Sequence, residues 1–348
     1  MYRQYDWIIQ SGSFRKQQDF YCFQETIGVF FVCLGRKEKG MEFVQSLFFI
    51  VLGFLFLVKG ADFFVSNASG LAKKLGVSSL VIGLTVVAFG TSLPELAVSV
   101  TASLEGSNEI AVGNVVGSNI FNLLIVAGLS ACIYPLVANK AILKRDWPLS
   151  IFASVLLMIF VMTGHTINRI EGVILLFIFA LILWKQFQDG KKQEEVHETE
   201  SRSYGQLLLW LGIGIVGIIV GGKLAVDGAV SFARIVGLSE TLIGLTIVAI
   251  GTSLPELVTS VVAAKQKENE IALGNVIGSN LFNIFFILGL SSVVSPLSVQ
   301  PTAVVDCLVL TLVSVVFLFV VKKMGLNKKS GIFMVITYIL YMVYIVLR

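Results

Sequence analysis

The hexapeptide Gly-Thr-Ser-Leu-Pro-Glu occurs twice in this 348-residue chain, at residues 90–95 and again, 161 residues later, at 251–256. Each copy places a proline and a carboxylate inside a strongly apolar stretch. A charged side chain at the centre of a membrane helix costs about 2.5–3.5 kcal/mol on insertion scales. Because the chain accepts that cost twice, Glu95 and Glu256 are the first candidates for chemistry.

The proline in each copy interrupts the helix that carries it. Pro94 has no N–H to donate to the carbonyl of Gly90, and its ring presses against that turn. We therefore expect carbonyls from Ala88 to Thr91 to leave the helical ladder, which a membrane tolerates only where protein, water or an ion satisfies them. The hydroxyls of Thr91 and Ser92 add neutral oxygens beside the carboxylate. The second copy supplies the same donors from Ala249, Thr252, Ser253 and Glu256.

A second polar block follows each hexapeptide. Asn114, Ser118 and Asn122 are spaced four residues apart, so they share one helix face. Gly113 and Gly117 flank that face with a spacing that favours close helix packing. The other half repeats the pattern with Asn275, Ser279 and Asn283, flanked by Gly274 and Gly278. For the serines and the last asparagines we favour ion coordination, since they would face the broken helices.

These blocks belong to a long internal duplication. Residues 83–122 and 244–283 align without a gap, and 27 of the 40 positions are identical. Two arbitrary apolar helices would not share Thr, Ser, Pro, Glu and Asn in register. Five predicted spans separate equivalent positions, so the second copy enters the membrane from the opposite side. The sequence thus predicts an inverted repeat, an arrangement of secondary transporters whose site lies at the repeat interface near the midplane.

Composition sets the class of protein. The chain is 56% hydrophobic and 14% charged, with a mean hydropathy of +0.87, whereas soluble domains carry about a quarter charged residues. We predict an all-α membrane protein with ten transmembrane helices in two five-helix repeats, the proline-broken helices meeting at the midplane. The predicted spans are 43–66, 77–102, 109–133, 147–164, 170–187, 206–233, 238–263, 270–294, 302–321 and 331–347.

Charge in alternate loops predicts the orientation. One set of loops holds fifteen Lys and Arg residues, and the other, counted from Met41, holds three. The positive-inside rule places the fifteen in the cytoplasm, so both ends of 41–348 face outward in a multi-pass protein of the cell (inner) membrane. We divide the chain into a first repeat at 41–187, a cytoplasmic linker at 188–205 and a second repeat at 206–348. Residues 1–40, whose six basic residues would lie on the wrong side, are set apart as a tail or over-extended start.

The available ligands favour a hard cation. Ca²⁺ takes six to eight flexible oxygen donors, and Mg²⁺ demands a tighter octahedron. No Cys, Met or His stands among the candidates, which argues against a soft transition metal. Neither repeat offers a basic partner beside its glutamate, so mobile cations are the better counter-charge. Ca²⁺ and Na⁺ that need the same two carboxylates cannot both be fully bound, and such competition is the basis of antiport.

At these motifs the chain resembles the calcium/cation antiporter superfamily, in particular its prokaryotic sodium/calcium exchanger branch. The paired GTSLPE and GNxxGSNxFN blocks look like its two α-repeats, and the five-plus-five plan matches from 41 to 348. The resemblance implies that Glu95 and Glu256 bind Ca²⁺ centrally with the carbonyls of Thr91 and Thr252. It also implies that the first span of each half, 43–66 and 206–233, slides across the core.

The remaining positions take their expected roles from the same resemblance. Asn122 and Asn283 would complete the central site, although some relatives, including potassium-dependent exchangers, carry an acid at the position of Asn283. That difference weakly disfavours K⁺ dependence. The flanking Na⁺ sites would be lined by Ser92, Ser118, Ser253, Ser279 and the carbonyls of Ala88 and Ala249.

Several alternatives stay open. A Ca²⁺/H⁺ or other cation/H⁺ antiporter is the runner-up, because protons compete for the same carboxylates. A passive cation channel or an intramembrane hydrolase with Ser92 or Ser253 as nucleophile explains the duplicate less well, and no His or Lys base matches. We expect no enzymatic activity, no cofactor and no nucleic-acid partner; the expected partners are Ca²⁺, Na⁺ or H⁺ and the bilayer, and the expected functional unit is a monomer.

Overall fold

The computed structural model describes residues 6–190, 200–237, 249–299 and 301–347, with side chains from Met41 onward except at 190, 249, 301, 302 and 346. A two-residue antiparallel ladder pairs β1, Thr166–Ile167, with β2, Leu297–Ser298. The helices, in chain order, are α1 Asp6–Leu75, α2 Ser79–Thr91, α3 Leu93–Leu104, α4 Asn108–Ile133, α5 Ile142–Gly164, α6 Arg169–Gly190, α7 Tyr204–Ile235, α8 Ala249–Gly251, α9 Leu254–Lys265, α10 Asn269–Val294, α11 Pro301–Met324 and α12 Lys328–Leu347.

The described helices account for most of the predicted spans. Eight of them are long and apolar enough to cross a membrane, and the bent pair α2–α3 makes a ninth if it counts as one span. The span predicted at 238–263 is described only in its second half, because residues 238–248 lie outside the described ranges. The ten-span count and the opposite orientation of the two halves therefore stay predictions.

Both proline hexapeptides break their helices. The axes of α2 and α3 differ by 51°, with Ser92 at the break. Pro94 occupies the first turn of α3, where its missing N–H has no helical partner to lose. In the second half α8 ends at Gly251 and α9 begins at Leu254, with Pro255 in its first turn. Each glutamate therefore lies in the first turn of a helix that starts inside the protein.

The centre of the protein is formed by α4 and α10, the helices that carry the asparagine blocks. In the most apolar stretch of each helix, 94% of the residues of α10 and 72% of those of α4 are buried. The buried share is only 17% in α6 and in the part of α1 from Met41 onward. Large apolar side chains on the outer helices, such as Phe48 and Phe177, are exposed where lipid would cover them. Polar residues in the middle and apolar residues outside agree with a membrane-embedded bundle.

A seam of glycines joins α1 to α7. A Cβ added at Gly60 would lie 2.7 Å from the backbone N of Ile218, and one added at Gly214 would lie 2.8 Å from the backbone N of Phe64. Both distances are shorter than packed side chains allow, so only glycine permits this approach. We call these contacts the glycine seam. Since the seam joins the first long helix of each half, α1 and α7 pack as a pair.

The end of the linker is tied to the end of α1. Arg202 Nη1 donates to Asn67 Oδ1 at 3.0 Å and Nη2 pairs with Glu200 Oε2 at 2.8 Å. Hydrogen bonds from Arg202 lower the pKa of Glu200 to about 2, so this pair stays ionised at neutral pH. Residues 191–199 of the linker predicted at 188–205 lie outside the described ranges.

Helix α1 has helical backbone from Asp6, across most of the segment set apart as a tail. The side chains of residues before Met41 lie outside the described set. The exclusion of 1–40 from the fold, and the other domain boundaries, stay predictions.

The glycine seam predicts a sharp difference between two nearby glycines of α7. Gly214→Ala should lower the midpoint of thermal unfolding, because overpacking typically costs 1–3 kcal/mol. Gly212 provides the matched control, since an added Cβ there meets nothing within 4 Å. Gly212→Ala should leave the midpoint unchanged or raise it slightly, as alanine favours helix over glycine. Thermal unfolding of the purified variants checks this, and equal midpoints would contradict it.

Candidate cation-binding site

The two hexapeptides meet at the centre of the protein. Glu95 and Glu256 are both fully buried. Ser92 Oγ donates to Glu256 Oε1 at 2.7 Å, and Ser253 Oγ donates to Glu95 Oε1 at 2.9 Å. Each serine thus bonds the glutamate of the other half, and we call these four residues the carboxylate cage. The crossed bonds bring the two glutamates together, although 161 positions separate them in the chain.

The predicted serines of α4 and α10 border the cage. Ser118 Oγ lies 3.0 Å from Ser253 Oγ and also beside the Glu95 carboxylate. Ser279 takes the equivalent place beside the Glu256 carboxylate. A hydroxyl next to a carboxylate offers both a donor, when no ion is present, and an oxygen ligand.

The asparagines at the start of each block hold the broken helices in place. Asn114 Nδ2 donates to the backbone carbonyl of Glu95 at 3.3 Å, and Asn275 Nδ2 donates to that of Glu256 at 3.3 Å. Their oxygens accept from the threonines of the opposite half: Thr91 Oγ1 lies 2.9 Å from Asn275 Oδ1, and Thr252 Oγ1 lies 3.4 Å from Asn114 Oδ1. Both amides therefore have supporting roles in this structure.

Sequence reasoning missed two residues of this support. Ser99 Oγ accepts from Asn114 Nδ2 at 3.0 Å, and Ser260 Oγ accepts from Asn275 Nδ2 at 2.9 Å. The two serines are equivalent positions of the duplication, so their identity in both copies was an available signal. The signal is weak because serine is also a common small packing residue on apolar helices.

The helix break at the first hexapeptide frees fewer backbone carbonyls than the sequence predicts. The Ala88 carbonyl accepts from the backbone N–H of Ser92 at 3.1 Å, and Thr91 Oγ1 lies 3.4 Å from the same oxygen. One of the carbonyls expected to be free is thus partly satisfied. A carbonyl oxygen has two lone pairs, so this bond leaves room for a further contact. Ala249, its counterpart, is the first described residue of α8.

The two carboxylates lack a basic partner within the part of the chain that the structure describes. No described Lys or Arg is among the groups that act on Glu95 or Glu256, whereas Arg145 pairs with two aspartates and Arg202 with Glu200. Lys59 and Lys223, the basic residues inside the long apolar helices, are exposed. Oε2 of Glu95 and Oε2 of Glu256 are buried without a hydrogen-bond partner among the described residues. Unpaired buried carboxylate oxygens are costly, and a bound cation would satisfy them.

The glycines of the second asparagine block have a packing role. Gly274 and Gly278 of α10 pack against α2, where an added Cβ would lie 2.9 Å from Gly83 Cα and 2.7 Å from Leu84 Cα. The counterparts of Gly83 and Leu84 in the second half are residues 244 and 245, which lie outside the described ranges, so the packing role of Gly113 and Gly117 stays a prediction. Gly113 and Gly117 line a cavity of about 330 Å³ together with Asn114, Ser118 and Thr252.

Comparison with known proteins identifies the family. A family model described as sodium/calcium exchanger protein matches residues 45–188 and 206–347, which is most of the chain. The chain belongs to the sodium/calcium exchanger family. Among curated relatives, inner membrane protein YrbG of Escherichia coli K12 is 39% identical over 282 residues, covering 77% of this chain and 86% of YrbG. Sodium/calcium exchanger MaX1 of Methanosarcina acetivorans is 34% identical over 337 residues, covering 84% of this chain and 96% of MaX1.

Solved structures give the same family. A structure of the sodium-calcium exchanger NCX_Mj, soaked with zero Na⁺ and Ca²⁺, has a TM-score of 0.77 and 33% identity, covering 87% of this chain and 99% of that one. These matches confirm the superfamily expected from the sequence. Because the sodium/calcium exchanger family consists of transporters and not of enzymes, the chain is a multi-pass membrane antiporter of that family.

The crossed serine bonds predict that each serine contributes to cation binding. Ser92→Ala and Ser253→Ala each remove a hydroxyl beside a buried carboxylate, and a hydrogen bond to a charged group contributes about 1.5–3 kcal/mol. We expect the Kd for Na⁺ or Ca²⁺ to rise at least about tenfold, measured from the cation concentration at which the unfolding midpoint begins to rise.

Ser130→Ala is the matched control for both serines. Ser130 is also fully buried on α4, and its hydroxyl bonds to no described residue. Its loss should leave the cation response unchanged. An equal loss of response in all three variants would mean that the effect is general destabilisation.

Proposed function

We propose that this protein exchanges Na⁺ for Ca²⁺ by alternating access, with Glu95 and Glu256 as the shared charge for which the two ions compete. One observation supports this above all others. Two buried carboxylates, one from each half, are held together by crossed serine bonds, and no basic residue of the described chain neutralises them. Such a site needs a cation and offers it only oxygen ligands.

Ca²⁺ would sit between the two glutamates. The carbonyls of Thr91 and Thr252 and the side chains of Asn122 and Asn283 would complete its shell, since all of these positions border the breaks or lie farther along the same faces of α4 and α10. Na⁺ would bind to the sides, where neutral oxygens stand next to the carboxylates. The Na⁺ ligands would be Ser92, Ser118, Ser253, Ser279 and the carbonyls of Ala88 and Ala249.

The cavity beside α4 would serve as an ion path in alternating access. Asn114, Ser118 and Thr252 line it. We propose ten spans in two inverted repeats, so that access to the site would pass from one side of the membrane to the other when the protein changes state. The pair α1 and α7, joined by the glycine seam, would slide across the core to make the exchange.

Na⁺ rather than H⁺ is our preferred driving ion. Serine hydroxyls next to both carboxylates supply ligands that a proton would not need. A Ca²⁺/H⁺ antiporter on the same fold is the alternative, because protons bind the same carboxylates. We place the protein in the cell (inner) membrane as a functional monomer, with both ends of 41–348 facing outward and the linker in the cytoplasm.

Proteoliposomes separate the two driving ions. Vesicles loaded with Na⁺ and diluted into Na⁺-free buffer should take up ⁴⁵Ca²⁺ against its gradient, and the uptake should vanish when Na⁺ is equal on both sides. An imposed pH gradient without a Na⁺ gradient should give no uptake. The opposite pattern would replace our proposal with the proton-driven alternative, and uptake that ignores both gradients would indicate a channel.

The carboxylate cage predicts which acidic residues are required for transport. Glu95→Gln and Glu256→Gln each remove one of two charges from the site, so Na⁺-driven Ca²⁺ uptake should fall to the level of empty vesicles. Glu105→Gln is the control, because Glu105 lies at the exposed end of α3. It should transport like the parent protein. Normal uptake by either cage variant would refute the assignment of the site.

A further inference from the structure

Four asparagines lie together on α4 and α10, within one turn of Ser118 and Ser279 along the chain. Asn119, Asn122 and Asn283 are fully buried, and Asn280 is 1% exposed. The sequence marks Asn122 and Asn283 as candidate ligands, whereas nothing in the proposed site uses Asn119 or Asn280. Buried amides need partners, so the bonds of this pair are informative.

Asn119 and Asn280 bind each other across the two halves. Asn119 Nδ2 donates to the Asn280 backbone carbonyl at 3.2 Å, and Asn280 Nδ2 donates to the Asn119 backbone carbonyl at 3.3 Å. We call this pair the asparagine clasp. Because a backbone carbonyl only accepts hydrogen bonds, each side-chain amide must turn its nitrogen toward the clasp. The orientation of both amides is therefore fixed, and each Oδ1 points away from the partner's carbonyl.

Asn119 Oδ1, which takes no part in the clasp, accepts a hydrogen bond from one neighbouring asparagine. Asn283 Nδ2 donates to Asn119 Oδ1 at 3.0 Å, which leaves Asn283 Oδ1 buried and without a partner among the described residues. The equivalent bond in the other half would join Asn122 to Asn280 Oδ1. It is not made: both polar atoms of Asn122 and the oxygen of Asn280 are buried without a described partner.

We propose that Asn119 is a positioning residue that turns the amide oxygen of Asn283, and not its nitrogen, toward the bound cation. This inference rests on the proposed function and goes beyond it, since it assigns unequal roles to two equivalent asparagines. An amide that rotates freely presents N–H to the ion in one of its two orientations, and that orientation repels a cation. The hydrogen bond to Asn119 excludes that orientation for Asn283, whereas Asn122 makes no such bond with a described residue and keeps both orientations.

The logic follows from the way metal ligands are usually held. A group that bonds the far side of a ligand fixes its orientation, and losing that group typically weakens metal binding by 10–100-fold. Asn283 lies one turn beyond Ser279 on α10, the helix whose preceding residues Asn275 and Ser279 contact Glu256. The direction of its oxygen therefore matters for an ion held by that glutamate.

Asn119→Ala and Asn280→Ala form a matched pair for the test. Each removes the same side chain from an equivalent position, and each deletes one amide-to-backbone bond of the clasp. Both should lower the unfolding midpoint of the ion-free protein by similar amounts. Only Asn119→Ala should raise the KM for Ca²⁺ in Na⁺-driven uptake, by about tenfold, and it should raise by the same factor the Ca²⁺ concentration at which the midpoint begins to rise.

A double variant separates positioning from general damage. In an Asn283→Ala background the amide to be turned is gone, so adding Asn119→Ala should leave the KM for Ca²⁺ unchanged. Equal KM values for Asn119→Ala and Asn280→Ala, or additive effects with Asn283→Ala, would overturn the proposal. Should the alanine variants fail to fold, the serine versions of both clasp positions carry the same expectation, since serine is too short to reach Asn283. A parent protein without Na⁺-driven uptake would refute the proposed function instead.

Discussion

Two carboxylates buried without a basic partner are the constraint on which this structure depends. Glu95 and Glu256 would repel each other, and neither has a basic residue of the described chain beside it. The protein holds them with hydroxyl and amide donors from both halves. The proline breaks, the buried position of α4 and α10 and the crossed serines are all arrangements that make such a pair tolerable. They leave room for a mobile charge to complete it.

Much of this arrangement could be predicted from the sequence, because the duplication carries chemically unusual residues. Glu95, Ser92 and their counterparts stand in identical hexapeptides, and polar residues in an apolar helix are costly enough to require a use. The spans followed from hydropathy in the same way; eight described helices agree with them, and the bent pair α2–α3 agrees if it counts as one span. The family followed from the spacing of the two blocks, and the comparisons confirm it.

The rest could not be predicted, for a physical reason that the paired asparagines make clear. Asn122 and Asn283 occupy the same position of the same motif, yet they differ in bonding although their neighbours are nearly identical. Differences between identical residues arise from the conformation that the protein adopts. A repeated sequence permits both arrangements, and the packing of the whole chain selects one of them.

The glycine seam has a consequence for how well ion gradients are conserved. At Gly60 and Gly214 the backbones of α1 and α7 touch, with no side chain between them to absorb a relative shift. A displacement of one helix must carry the other. In the transport scheme proposed above, α1 and α7 would therefore slide across the core together and not one at a time. Slippage, in which ions run down their gradients without exchange, would then be opposed by the contact of two backbones.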